Sequence, residues 1–341
     1  MDPQTRREGG GASAQELNAR YDRQIRVWGA EAQQRIQTSR VLVVGLSGLN
    51  VEVVKNIVLA GMNVTIQDAS VVRAEDLSFN FFLSLDEVGN STIQAALPRI
   101  QQLNTFTTVG VETRPLRDLD DAFFAPFTVI LVDARCSTQD EAVRINRLCR
   151  NSCSSGHSKV FFLSDVFGQE SMFISDFGTD FKYQVDKKDQ KEGVAKEAAV
   201  QQLEAEIHTV AFPPLEEVLE KQWVATSSKH FPLSKTFVKA RLLAQYRDLH
   251  GGKNPLPGTH AAFLTWASSV FSQQGLSPDA VPHAELETLA RTADCTPIVT
   301  CSTLGSFLAQ EVIKGVSLSG KPGFNVFVFS CEDYQVRVIP I

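Results

Sequence analysis

Several features are scarce in this 341-residue sequence, and each shortage closes off a class of protein. No run approaches the ~20 consecutive apolar residues that cross a bilayer as a helix, so no transmembrane span is expected. Met1 to Arg20 is polar and rich in Gly, Ala and Gln, without the apolar core of a secretory signal. Cysteine is sparse: the six are Cys136, Cys149, Cys153, Cys295, Cys301 and Cys331. Without an export signal they are expected to be reduced thiols, in a protein that is nuclear with a cytoplasmic share. Cys149 and Cys153 stand close together, but no His or second Cys pair lies at zinc-finger spacing, so no metal site is expected. Positive charge is not in excess, because 33 Lys and Arg against 39 Asp and Glu leave a net charge of −6. Such a chain has no general attraction to nucleic acid or anionic lipid. The G-x-S-x-G, H-E-x-x-H and Walker signatures are missing as well.

What is present reads as globular protein, with 43% hydrophobic and 21% charged residues. The length suits one large domain with a smaller part inserted or appended. Residues 1–15 offer nothing to bury and are expected to be disordered. Tyr21 to Gln37 has helical spacing. Ser39 to Gly45 (SRVLVVG) is a continuous apolar run ending in Gly, as in a buried parallel strand. A Gly/Ser turn leads to a helix from Gly48 to Ala60, which Gly61 stops, and Asn63 to Asp68 is the second strand. Strand, glycine turn, helix and a strand ending in Asp open a doubly wound fold. The alternation continues with a helix over 92–104, a strand over 128–133, a helix over 139–150 and a strand over 160–165. Ser171 to Asp176 is a further strand, of antiparallel character. Composition shifts after Phe181. Residues 182–206 suggest a loop leading to a surface helix, and Leu215 to Ala293 reads as helices broken by Pro255, Pro257, Pro278 and Pro282. A helix through Leu304, Phe307, Leu308 and Val312, ended by Gly315, precedes a hairpin of strands 324–329 and 335–339. The fold class is therefore α/β, a doubly wound Rossmann-like domain with a mostly helical insert. Its parts are 16–181, the insert 182–293 and the return 294–341.

The glycine turn is incomplete. Against G-x-G-x-x-G, the sequence reads Gly45-Leu46-Ser47-Gly48-Leu49-Asn50. The second glycine of that pattern lets backbone amides approach phosphate, and the third lets the helix pack on the strand. Asp68 ends strand two, where such folds bind ribose hydroxyls. A working dehydrogenase and a nucleotide-shaped fold without nucleotide both remain open here, although no substrate-side acid or base stands out. The six histidines fall mostly in polar or Pro/Gly-rich stretches. In Tyr21-Asp22-Arg23-Gln24-Ile25-Arg26-Val27-Trp28-Gly29, Arg23 and Arg26 lie near one helical face. They could grip phosphate oxygens, or form a solvated face paired with nearby acids.

YDRQIRVWG followed by a strand and a G-x-x-G turn resembles the N-terminus of the ubiquitin-like-protein activating enzymes and of bacterial enzymes that adenylate sulfur carriers. The similarity continues through VEVVKNIVLA (51–60), AEDLSFNFFL (74–83), SDVFG (164–168), FPPLEEVLEKQW (212–223), GLSPDAVP (275–282) and GSFLAQEVIK (305–314). It spans about Leu17 to Pro340, and SDVFG and the insert resemble the non-catalytic side of the SUMO-activating branch. The non-catalytic side of the neddylation branch is the alternative, but its helical insert is longer. A stand-alone nucleotide-dependent enzyme and a purely structural adaptor are the readings from other classes.

The resemblance implies a chemistry that this chain does not perform alone. Catalytic members bring ATP and a modifier's carboxylate together, using a glycine turn, a ribose Asp, Asn and Arg after strand two, a Lys before the third helix and an Asp for Mg2+. Here the turn carries Ser47 and Asn50, the loop reads Ser78-Phe79-Asn80-Phe81-Phe82, and Thr92 stands where the Lys would fall. Gly45, Gly48, Asp68 and Asp133 remain as degenerate remnants. No thioester cysteine is expected: Cys295 precedes the returning helix, and Cys136, whose pKa Arg135 could lower, is not at the family's position. ATP and Mg2+ would sit in the partner's site, with Arg23 contributed in trans and Arg26 a second candidate. The implied partners are the catalytic subunit of a SUMO-activating heterodimer and, through it, SUMO.

Overall fold

The computed structural model describes residues 14–152, 159–185, 206–223, 234–256 and 258–341. The disorder expected for 1–15, most of the segment 182–206 and Cys153 lie wholly or largely outside the described residues.

The chain opens with helices α1 (Ala14–Trp28) and α2 (Ala30–Thr38). Sequence periodicity reads one helix here, but Gly29 adopts φ 88° and breaks it in two, a conformation glycine alone adopts without strain. The first βαβ unit follows: β1 (Arg40–Val44), α3 (Gly48–Ala60) and β2 (Asn63–Gln67). Gly61 caps α3 in the left-handed conformation, donating to Ile57 and Val58. Next come α4 (Thr92–Leu103), β3 (Val109–Glu112), the short α5 (Asp121–Phe124), β4 (Val129–Asp133), α6 (Gln139–Asn151) and β5 (Val160–Phe167). Strand β3, with its central glycine, gives too short an apolar pattern to be read from sequence.

Strand β6 (Glu170–Asp176) turns back antiparallel to β5, as expected. Strands β7 (Phe181–Val185) and β8 (Glu206–Val210) pair in a separate two-stranded sheet, where the sequence suggests only loop and helix. Helices α7 (Leu215–Glu220), α8 (Lys235–Leu249), α9 (His260–Gln273) and α10 (His283–Thr292) follow. Helix α11 (Ile298–Ser317) and the hairpin of β9 (Val326–Ser330) and β10 (Gln335–Ile339) finish the chain. Gly315 does not end α11. It lies inside the helix, where a side chain would press on Val160 and Phe177, and Leu318 provides the left-handed cap.

The eight-stranded sheet has the order β10-β9-β6-β5-β4-β1-β2-β3. Strands β3, β2, β1, β4 and β5 are parallel and the rest antiparallel. Alternation along β1 divides the core into two layers. Val41 and Val43 face α3 and α11. Leu42 and Val44 face a layer built from α6 and the helices of 215–293, including Phe237, Leu242, Phe263 and Leu286. Those helices thus cover one face of the sheet. On the other face α3 and α11 cross so closely that a Cβ at Gly305 would lie 2.8 Å from Glu52 Cβ.

Candidate functional site

In a doubly wound sheet ligands bind beyond the carboxyl ends of the strands, beside the first glycine turn. The structure brings Gly45, Ser47, Gly48, Asn50, Asp68 and Asp133 together there, and the chain's own groups engage most of them. Gly45 has φ 82°, and a Cβ on it would lie 2.5 Å from Cys136 Sγ. A Cβ on Gly48 would lie 2.5 Å from Thr296 Cγ2, 2.6 Å from Cys301 Sγ and 3.2 Å from Phe79. The open space that lets phosphate reach such a turn is therefore occupied by Cys136, Thr296, Cys301 and Phe79.

The carboxylates are engaged as well. Asp68 accepts from the Leu46 amide at 2.7 Å and the Ser70 amide at 2.7 Å. It stabilises the turn with the oxygens that would meet ribose. Asp133 accepts from the Arg135 amide at 2.7 Å, with the Arg135 Nε 3.8 Å away. Asn50, in place of the third glycine, folds back and donates to the Val44 and Gly45 carbonyls at 3.2 and 2.8 Å. Thr92 is buried against Ser70, hydroxyl to hydroxyl at 2.8 Å. Ser47 Oγ is buried and has no partner among the described residues. These groups do not fit a magnesium triphosphate. One unpaired hydroxyl faces a site with no space left over either glycine.

The sequence did not place three features at this site. Arg135 stands at the site, but its guanidinium is committed to Asp133 and donates to Thr296 Oγ1 at 3.0 Å. Burial opposes its charge, yet Asp133 and Asp165 hold its pKa above the usual value. Cys136 is not activated by Arg135. Cys136 is exposed at the rim of the turn, yet desolvation by the protein packed around it, then Asp133 and Asp68, raise its thiol well above its ordinary pKa, outweighing the arginine. The loop after β2 approaches the turn with Phe79. Phe81 instead lies half exposed at the surface, with Lys55 Nζ 5.4 Å from its ring centroid. Only the spacing of Cys136 just past β4 hinted at any of this. Cys295 is exposed, and its backbone is bound on both sides, donating to Thr292 and accepting from Gly168.

Arg23 lies elsewhere. Helix α1 is anchored by Tyr21, whose buried ring packs on Gly61 and whose hydroxyl accepts from Asn104 at 2.8 Å. Gly61 and Asn104 sit at the entry ends of β2 and β3, opposite the glycine turn. The 13 residues of α3 separate the two ends, a span of about 20 Å. Arg23 is exposed and has no hydrogen-bond or ion-pair partner among the described residues. Arg26 pairs with Asp22 at 2.9 Å in an exposed i,i+4 bridge. The two arginines therefore differ: Arg26 is engaged locally, and Arg23 has no partner among the described residues.

Next to Arg23 in α1, Gln24 opens onto a shallow depression between three helices. Gln24 and Trp28 of α1, Asn56 and Leu59 of α3, and Ser306 and Gln310 of α11 line one depression. Val27, Leu59, Phe307 and Val299 on these three helices are all at least 40% exposed.

The ThiF family matches residues 21–338. Human SUMO-activating enzyme subunit 1 is 31% identical over 339 residues, covering 94% of each chain. The proteins of that name from Xenopus laevis and Danio rerio are each 32% identical over 335 residues, covering 93% of this chain.

Proposed function

The chain belongs to the ThiF family, and on that premise we propose that it is the small, non-catalytic subunit of a SUMO-activating heterodimer. It assembles with a catalytic subunit that holds ATP and Mg2+, and through that complex it supports adenylation and thioester transfer of SUMO. The names of its relatives favour the SUMO branch over the neddylation alternative.

One pairing of observations carries the reading. The chain's own glycine turn is filled by Cys136 and Thr296, whereas Arg23, without a partner among the described residues, stands some 20 Å away, at the opposite end of α3. An arginine so placed cannot serve its own turn. In a pseudo-symmetric pair of such domains it reaches the neighbour's nucleotide and stabilises triphosphate charge in trans. Val27, Leu59 and Phe307, exposed on α1, α3 and α11, supply apolar surface for such a pair to bury.

ATP–pyrophosphate exchange with SUMO tests the proposal. The chain alone is expected to give no exchange, and exchange is expected once a catalytic subunit is added. Exchange by the purified chain alone would refute the non-catalytic reading, and failure to raise a catalytic subunit's rate would refute the assembly.

A further inference from the structure

Away from the glycine turn, α6, α8 and strands β5 and β6 enclose a cavity of about 100 Å³. Its floor is apolar, with Ala142, Leu163, Met172 and Ile174 among its walls, and its rim carries Gly251 and Gly252. Both rim glycines have positive φ, 64° and 82°, and a Cβ at either would meet nothing within 4 Å, so this side is open.

Two buried arginines, Arg241 and Arg247, line the cavity, each 4% exposed. Arg247 is answered: Asp165, also lining the cavity and 3% exposed, accepts from its Nη1 at 2.7 Å, and Asn254 accepts from its Nε at 2.8 Å. Arg241 has no such answer. Among the described residues its donors reach only neutral oxygens, the Leu219 carbonyl and Gln139 Oε1. Asp248 also lines the cavity and acts on Arg241 through space, but it is exposed to solvent and accepts from Gln139 Nε2 instead of from Arg241. Arg241 Nε and Arg247 Nη2 are buried without a partner among the described residues. Asp165 Oδ1 is unpartnered too, but its charge is already balanced by Arg247. The buried charges here are thus two cations against one anion, and a buried charge without a counter-charge is costly. The cost shows in Arg241, whose pKa burial pulls down to about 10.

We infer that this cavity is a binding site for a small monocarboxylate, whose oxygens take the free donors of Arg241 and Arg247 and whose short alkyl part lies on the apolar floor. Size and wall chemistry select that class. A dry cavity of about 150 Å³ holds benzene, so 100 Å³ holds on the order of four or five heavy atoms, the size of acetate or propionate. Inorganic phosphate has a similar size but four oxygens, and Ala142, Leu163, Met172 and Ile174 offer it no donors. Planar guanidinium groups match a carboxylate edge. This site lies on the opposite face of the sheet from α3 and α11, so it stands independently of the subunit reading above.

The test is thermal unfolding and titration calorimetry of the full chain with acetate and propionate, against inorganic phosphate and chloride at matched ionic strength. The carboxylates are expected to bind saturably and raise Tm, with propionate at least as effective as acetate. Arg241→Met should weaken binding at least about tenfold, as loss of a charge-assisted pair does. Should that variant not fold, Ala244→Leu, which fills the cavity and keeps both arginines, should abolish the response. Equal effects of phosphate, chloride and carboxylate, or an unchanged carboxylate response in Ala244→Leu, would overturn the assignment.

Discussion

Replacing Arg23 with Ala separates the chain's own stability from its role in a complex. Within the chain, Arg23 is exposed and touches no partner among the described residues. Its loss should therefore change unfolding free energy by no more than about 0.5 kcal/mol. In the assembled heterodimer the side chain is expected to contact triphosphate oxygens of the neighbouring site, a charge-assisted interaction of about 1.5–3 kcal/mol. At about 1.4 kcal/mol per factor of ten, that is a fall of roughly ten- to 150-fold in kcat/KM for ATP. Arg26→Ala is the internal control. It removes an exposed i,i+4 bridge to Asp22, typically about 0.3–0.5 kcal/mol, so the rate should change by less than about threefold. Arg23→Lys keeps the charge but loses the planar fork and should fall between the two. The assay is ATP–pyrophosphate exchange over an ATP titration, with subunit affinity followed by analytical ultracentrifugation. A kcat/KM in Arg23→Ala within twofold of the parent would refute the trans contact, as would a loss fully accounted for by weaker assembly.

Other expectations follow from single sites. Gly48→Ala should cost about 1–3 kcal/mol by overpacking against Thr296 and Cys301, read as a lower urea midpoint with unchanged slope. Leu59→Asp or Phe307→Asp, at exposed positions of α3 and α11, should leave the isolated chain within about 0.5 kcal/mol of the parent. Either should weaken heterodimer formation at least about tenfold in a sedimentation titration, as changes at a buried interface centre do. Cys149 and Cys301 are buried, and burial lifts both thiols to about 12. The folded chain thus keeps these protons at a pH where the unfolded chain releases them. That contribution to stability is complete below the unfolded value of about 8.5 and disappears as pH rises toward 12. Urea titrations above pH 8 should show falling stability, with a shallower fall in Cys301→Ala. Iodoacetamide at neutral pH should label exposed Cys295 well before buried Cys149 or Cys301.

Much of the fold was legible because β1 and β4 are buried on both sides. RVLVV and VILVD show it as unbroken apolar runs, and the parallel order follows from the helices between them. The breaks at Gly29 and Gly315 were misread in opposite directions. A helical glycine is a stop when φ is positive and a close contact when a neighbour presses on it, and sequence cannot say which. The short strands β3, β7 and β8 were missed because a few half-buried residues carry little pattern. At the site, the substitutions at Ser47, Asn50 and Thr92 could be read, but their consequence could not. What fills the turn comes from Cys136, Thr296 and Cys301, which are far away in sequence. Arg241 and Arg247 are buried in α8, and nothing in KTFVKARLLAQYRDL sets these two apart from its other basic residues.

The filled turn also explains why a chain can keep the landmarks of a nucleotide site without the space for a nucleotide. Gly45 needs its positive φ to pass from β1 into the turn, and Cys136 leaves no room for a side chain. Gly48 must be bare because α11 brings Thr296 and Cys301 over the start of α3. Asp68 fixes the turn through the Leu46 amide, replacing the ligand contact with an internal one. Each remnant thus has a structural reason to remain whatever it binds, so its presence alone says nothing about ATP. Arg23 has no such reason: it is exposed and has no hydrogen-bond or ion-pair partner among the described residues. A residue whose fold does not need it is where a function outside the chain is most readily tested, and the same reasoning makes Arg23, rather than Gly45 or Asp68, the position whose loss should leave the fold intact and the complex impaired.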